Sequence, residues 1–248
     1  MAYAREVYLH ILKFMLMLPK LRTVMGMNEI YLGTWQFEQI GGAQREALVN
    51  AAHEQGISRF DTAAVYASGE AESVLGRMMS AGDTVVTKIP AVNKNTSNFS
   101  DAYPDEHVKR VLGESSSRLN RVPDGVLLHN WSAAWEGPEN TEKVVSVLES
   151  MHVPSVGVSL PNRYTGTIES SEVFNLINNV ELPYNQLSPL LTRERIALMT
   201  LSKNVLVRSL FMHGNDVRDV KVRISDISNL GARPVVGATL PSQIESWL

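Results

Sequence analysis

The stretch Glu29-Ile30-Tyr31-Leu32-Gly33-Thr34-Trp35 decides the fold of this chain. It reads as a short apolar strand, and the turn after it separates two architectures. A doubly wound nucleotide-binding sheet runs from its first strand into a glycine-rich turn. Here a single glycine is followed by Thr34-Trp35-Gln36, and neither GxGxxG nor GxxxxGK[ST] occurs anywhere. Outward from this point, short apolar runs alternate with longer amphipathic ones. The spacing predicts strands over Glu29–Trp35, Ser58–Asp61, Thr84–Ile89, Gly125–His129, Ser155–Ser159, Val180–Tyr184, Val205–Arg208 and Pro234–Ala238. Between them it predicts helices over Ala43–Gln55, Ala71–Ser80, Asp105–Leu119, Glu142–Met151, Thr167–Asn178, Thr192–Ser202 and, more weakly, Val217–Leu230. Pro104 before Asp105-Glu106, Thr141 before Glu142, and Thr192 before Arg193-Glu194 act as start signals. Eight strand–helix units without a break in composition give the α/β class and a single (β/α)8 TIM barrel over residues 28–248. Only seven residues follow Pro241, so the last helix, from Ser242, is truncated.

The chain has 248 residues, 44% hydrophobic and 20% charged, enough for a large core. Its net charge of −3 and the lack of any basic stripe argue against a nucleic-acid partner. It has no cysteine, which excludes disulfides, thiolate metal sites and a cysteine nucleophile, and which fits a cytoplasmic location. Residues 1–27 form an apolar extension. Val7–Pro19 is too short to span a bilayer and is interrupted by His10 and Lys13, and no small-residue cleavage site follows it. The extension reads as an added helix packed on the barrel or on a partner, or as a leader before Met25 or Met27. An added helix could cover a strip of strands one and eight left bare by the short last helix. Monomer and dimer both stay open.

In a barrel the C-terminal strand ends and the loops after them build the site. Asp61 ends the second strand, Tyr66 lies in the loop behind it, Lys88 sits near the end of the third strand and His129 ends the fourth. Adjacent strands lie about 4.8 Å apart, so these side chains can converge. A phenol is a weak acid, and lowering its pKa to about 7 requires roughly 4 kcal/mol of preference for phenolate. A desolvated lysine ammonium can supply that preference if an aspartate keeps it charged, while the histidine donates to a carbonyl oxygen. Other residues read as structural. Trp35, Trp131 and Trp135 suit a pocket mouth or the core, and His53 a solvated helix face. His107, His152 and His213 lack metal-site spacing, so no metal site is expected. Asn93–Ser100 reads as a mobile loop placed to act as a lid.

The chain from Asn28 to Glu245 resembles the aldo-keto reductases, and within them a short bacterial branch. The resemblance rests on Gly33-Thr34-Trp35, on Phe60-Asp61-Thr62-Ala63-Ala64-Val65-Tyr66 with Glu72 and Leu75-Gly76, and on Thr87-Lys88 and Leu128-His129. Val156-Gly157-Val158-Ser159, Pro183-Tyr184-Asn185, the run from Arg208 to Gly214 and Val236-Gly237-Ala238-Thr239 extend it. It implies metal-free reduction of a small aldehyde or ketone, sugar-like carbonyls among them, by NADPH, with NADH open as the alternative. Tyr66 would give the proton, Lys88 and Asp61 would tune it, and His129 would orient the substrate. The nicotinamide carboxamide would fall to Ser159 and Glu181, the pyrophosphate side to Ser209 and Leu210, and the adenosine side to Gly237, Ala238, Thr239 and Gln243.

Several positions depart from that pattern. Leu160 follows Ser159 where the family has Asn, and Glu181 stands where it has Gln. No Lys or Arg follows strand eight, and Ser246-Trp247 replaces the closing Glu-Asn pair. These departures keep a second reading alive, a cofactor-binding barrel without turnover that senses or binds a partner. A third reading uses Lys88 as a Schiff-base amine.

Overall fold

The computed structural model describes residues 29–184, 192–211 and 220–247. The expected extension over residues 1–27, His213 and the segments just before Thr192 and Val220 lie outside the described residues. Eight parallel strands close in sequence order: β1 (Tyr31–Gly33), β2 (Arg59–Asp61), β3 (Thr84–Pro90), β4 (Gly125–His129), β5 (Val156–Ser159), β6 (Asn179–Pro183), β7 (Asn204–Arg208) and β8 (Arg233–Gly237). The ring is shut by β1 against β8, with Tyr31 opposite Val235 and Gly33 opposite Gly237. The (β/α)8 barrel expected from the alternation is therefore the fold observed.

The outer layer comprises α1 (Gly42–Glu54), α2 (Glu70–Met78), α3 (Phe99–Ala102), α4 (Asp105–Leu119), α5 (Pro138–Ser150), α6 (Glu172–Leu176), α7 (Arg193–Met199), α8 (Val220–Asn229) and α9 (Pro241–Glu245). Two helices differ from expectation for local reasons. Helix α5 starts at Pro138, ahead of Thr141, because Gly137 is extended and proline suits the first helical position. The helix expected over Thr167–Asn178 is cut into a 3-10 turn, Ile168–Ser170, and the short α6. The cut falls at Ser171, whose extended backbone (ψ 155°) interrupts the run and whose hydroxyl donates to the Ile168 carbonyl. The last helix is short as expected, yet Ile244 and, just beyond it, Trp247 are buried.

Side chains alternate across each strand, so every second residue points into the barrel. Tyr31, Val86, Leu127, Leu206 and Val235 form one apolar interior cluster. Two residues further on, toward the C-terminal ends, the same strands present Gly33, Lys88, His129, Arg208 and Gly237. Gly157 lies on this inward face of β5, two residues before Ser159, and a Cβ there would collide with the Asn179 carbonyl of β6. Outside the ring, Gly76 lets α2 lie directly on the end of α4, where a Cβ would strike the Arg118 carbonyl. No described helix is long and apolar enough to cross a membrane.

Candidate active site

Tyr66 is held by backbone geometry before any side chain acts. Thr34 Oγ1 donates to the Asp61 carbonyl at 3.1 Å and shares a hydrogen bond with Thr62 Oγ1 at 2.9 Å. The amides of Thr62 and Ala64 then donate to the carbonyls of Val86 and Lys88, latching the loop after β2 to β3. Tyr66 opens a 3-10 turn, Tyr66–Gly69, in which Ala67 and Ser68 take left-handed backbone (φ 48° and 56°). Such conformations are costly for residues with a Cβ and persist where the surroundings impose them. The turn throws the Tyr66 ring over the barrel mouth. There it meets His129 edge-on, with centroids 6.1 Å apart, and lies 5.4 Å from the Lys88 ammonium.

Asp61, Tyr66, Lys88 and His129 are thus brought together. Lys88 is fully buried and pairs with Asp61 Oδ1 at 2.5 Å, the Thr62 carbonyl at 2.9 Å and Glu181 Oε2 at 3.1 Å. The third partner was not foreseen from the sequence. Glu181, also fully buried, uses its other oxygen to accept from Ser159 Oγ at 2.9 Å and to pair with Arg208 Nε at 3.0 Å. Arg208 is anchored in turn by the Leu160 carbonyl at 2.7 Å and Asn162 Oδ1 at 2.9 Å.

This extra carboxylate changes the electrostatics. Burial pushes the Tyr66 phenol up to about 12; the Lys88 charge pulls it down, but Asp61 and Glu181 oppose that pull. The expected acidic phenol is therefore not what the free protein holds. Burial would raise Glu181, but Lys88 and Arg208 hold it at about 2. Burial and the Glu181 charge push Asp61 upward, and the Lys88 ammonium 2.5 Å away opposes them in favour of the charged form. Burial works against the Lys88 charge, yet Asp61 and Glu181 raise its pKa beyond the ordinary lysine value. Lys88 is consequently an ammonium, not the free amine that Schiff-base chemistry requires. Burial and the Lys88 charge lower His129 to about 3, leaving a neutral ring.

A cavity of about 1020 Å³ opens above this cluster. Asp61, Tyr66 and His129 line it, as do Ser209, Leu210, Gly237, Ala238, Thr239 and Gln243. Lys88, Ser159 and Glu181 do not; they lie beneath its floor with no exposed surface. A dinucleotide with a small substrate fits the volume, and the β7 and β8 loops could hold one side of it. The pair assigned to a carboxamide fits poorly, because Ser159 and Glu181 are spent on each other and on the buried cations. Gln243 is also engaged: its Oε1 accepts from the Thr239 and Leu240 amides at 2.7 and 3.0 Å, shaping the loop into α9.

Trp35 lines the cavity, as a pocket-mouth residue would; Asn130 and Asn162 line it too, without having stood out in the sequence. The one available signal was an Asn three residues after Ser159, close to where the family pattern has its amide. Trp131 and Trp135 are fully buried and pack with Phe99 and Tyr103, whose hydroxyl donates to the His129 carbonyl at 2.8 Å. The stretch read as a lid is pinned to this cluster: Phe99 is buried and the Thr96 carbonyl accepts from Trp135 Nε1. His53, expected in solvent, instead pairs with Asp83 at 2.9 Å. Among the described residues no group of three or more His, Asp or Glu could hold a metal ion.

A family model described as the aldo/keto reductase family matches residues 29–206. Solved structures share the architecture at low identity. One from Pseudomonas aeruginosa, described as an aldo-keto reductase, is 20% identical over 88% of each chain, with a TM-score of 0.65. An aldo/keto reductase from Klebsiella pneumoniae, solved with NADP and acetate, is 19% identical over 88% of this chain and 84% of that one, with a TM-score of 0.59. The glycerol dehydrogenase of Gluconobacter oxydans is 17% identical over 88% and 84%, with a TM-score of 0.65. No curated protein is significantly similar to the chain.

Proposed function

The chain belongs to the aldo/keto reductase family, and on that footing we propose that it reduces a small aldehyde or ketone with a nicotinamide dinucleotide. The observation that carries this reading is the Tyr66 ring at the cavity floor, beside the buried Lys88 ammonium and edge-on to His129. A phenol protonated at neutral pH can give its proton to a carbonyl oxygen as charge develops there. The Lys88 ammonium then faces the phenolate left behind, while Asp61 and Glu181 keep that ammonium charged. His129, neutral, can offer a ring N–H to the same oxygen. When bound, the dinucleotide supplies the hydride; Ser209, Leu210, Gly237, Ala238, Thr239 and Gln243 are the residues that would hold it.

NADPH is the first cofactor to try, since the Klebsiella relative was solved with NADP. Small hydroxylated carbonyls are the first substrates, given the polar Asn130 and Asn162 in the cavity and the glycerol dehydrogenase among the relatives. The burial of Ser159 and Glu181 favours the second reading, a binding barrel without turnover. Purified protein offered NADPH or NADH with a panel of such carbonyls separates the two. Loss of reduced-nicotinamide absorbance supports the reductase. Nucleotide binding, seen by tryptophan quenching, with no turnover on any carbonyl would favour the binding barrel.

A further inference from the structure

Glu181 is fully buried, carries a charge, and stands where the family pattern has a neutral amide. Its neighbours give it a task. A lysine ammonium has three N–H donors. Around Lys88 Nζ two acceptors take hydrogen bonds, Asp61 Oδ1 and the Thr62 carbonyl, while Glu181 Oε2 stands 3.1 Å away as an ion-pair partner without a hydrogen bond of its own. Among the described residues no hydrogen bond joins the Tyr66 hydroxyl to Lys88, whose ammonium lies 5.4 Å from the ring centre. Glu181 cannot swing away, because Arg208 and Ser159 hold its other oxygen, and Arg208 is itself tied to Leu160 and Asn162.

We infer that Glu181 is a positioning residue for the proton donor: its buried charge, fixed 3.1 Å from the Lys88 ammonium, offsets the pull of that ammonium on Tyr66 and so holds the phenol in its protonated form. This deepens the reductase reading and rests on Tyr66 being the acid. The charged and titratable groups facing the phenol are Asp61 from β2, Lys88 from β3, His129 from β4, Glu181 from β6 and Arg208 from β7. Of these, the two carboxylates oppose ionisation of Tyr66 and the two cations favour it. Glu181 thus adds to burial and to Asp61 against the pull of Lys88 and Arg208. A phenol kept protonated serves carbonyl reduction, which consumes a proton. The reverse oxidation needs phenolate as the base and is starved of it at neutral pH.

The test is the phenolate titration of Tyr66 in the nucleotide-free protein. It is read as the absorbance difference between each protein and its Tyr66→Phe counterpart, with the fold followed by circular dichroism at every pH. Glu181→Gln removes the like charge while keeping the shape of the side chain, so the Tyr66 midpoint should fall by about 1–3 units. Should that variant fail to fold, Glu181→Gln/Arg208→Gln is compared with Arg208→Gln as its parent, against which the Tyr66 midpoint should still fall. A midpoint equal to or above that of the parent overturns the inference, as does a phenol still unionised when the variant unfolds. No nucleotide or carbonyl is present, so a missing shift leaves the reductase reading standing, and a missing turnover leaves this inference standing.

Discussion

Thr87 and Lys88 are neighbours on β3, yet the pleat sends them to opposite sides of the barrel wall, each to a buried carboxylate. On the outside, Thr87 Oγ1 donates to Glu72 Oε1 at 2.5 Å, and Glu72 Oε2 pairs with Arg118 at 2.8 Å. That cluster joins β3 to α2 and α4 through one buried carboxylate and one cation, which Glu114 also approaches from the solvent side at 3.8 Å, and it borders no part of the cavity. On the inside, Lys88 faces two carboxylates, a second cation lies beyond them, and a phenol and an imidazole stand between this set and open space. Burial of an ion pair is common to both and marks neither as functional. What separates them is a second carboxylate that is itself fully buried, next to titratable groups that reach a cavity.

Breaking the outer pair should cost stability and leave the chemistry alone. Arg118→Met strands Glu72, which has no exposed surface, and should lower unfolding free energy by about 3 kcal/mol in a urea titration. The pH profile of any activity should not move. A shifted profile would mean that the two faces of β3 are coupled and the contrast is false.

A smaller effect comes from His129. Its pKa is about 3 in the fold, against 6.5 in the ordinary state. Between those values the unfolded chain binds more protons than the folded one, so stability rises with pH across this window. The penalty is absent above about 6.5 and grows as the pH falls toward 3, by up to about 1.4 kcal/mol per pH unit. Measured beside His129→Gln, the parent should lose stability faster on acidification, with parallel behaviour above that window. Parallel slopes throughout would contradict a half-buried, neutral His129.

The contrast also explains what could be read in advance. Strands were legible because apolar runs such as Val85–Ile89 are bounded by turn residues, and the ring followed from eight of them and a first turn with one glycine. Asp61, Lys88 and His129 were legible because each ends or nearly ends a strand, where topology alone brings them together. Glu181 was found as a position but not as a role. Its behaviour depends on Lys88 three strands away and on Arg208 on β7, and no local pattern announces a charge balance. The loop after β3 shows the same limit: its Asn and Ser content suggested mobility, while the anchor, Phe99, touches Trp131 and Trp135, which lie beyond β4.

The central claim is that Tyr66 gives the proton, and Tyr66→Phe tests it most directly. The hydroxyl makes no hydrogen bond to Lys88, so the substitution should leave the urea midpoint where it is. With NADPH and the best carbonyl substrate, kcat/KM should fall roughly 10²–10⁴-fold. A variant that keeps the parent's kcat/KM while remaining folded would contradict the account.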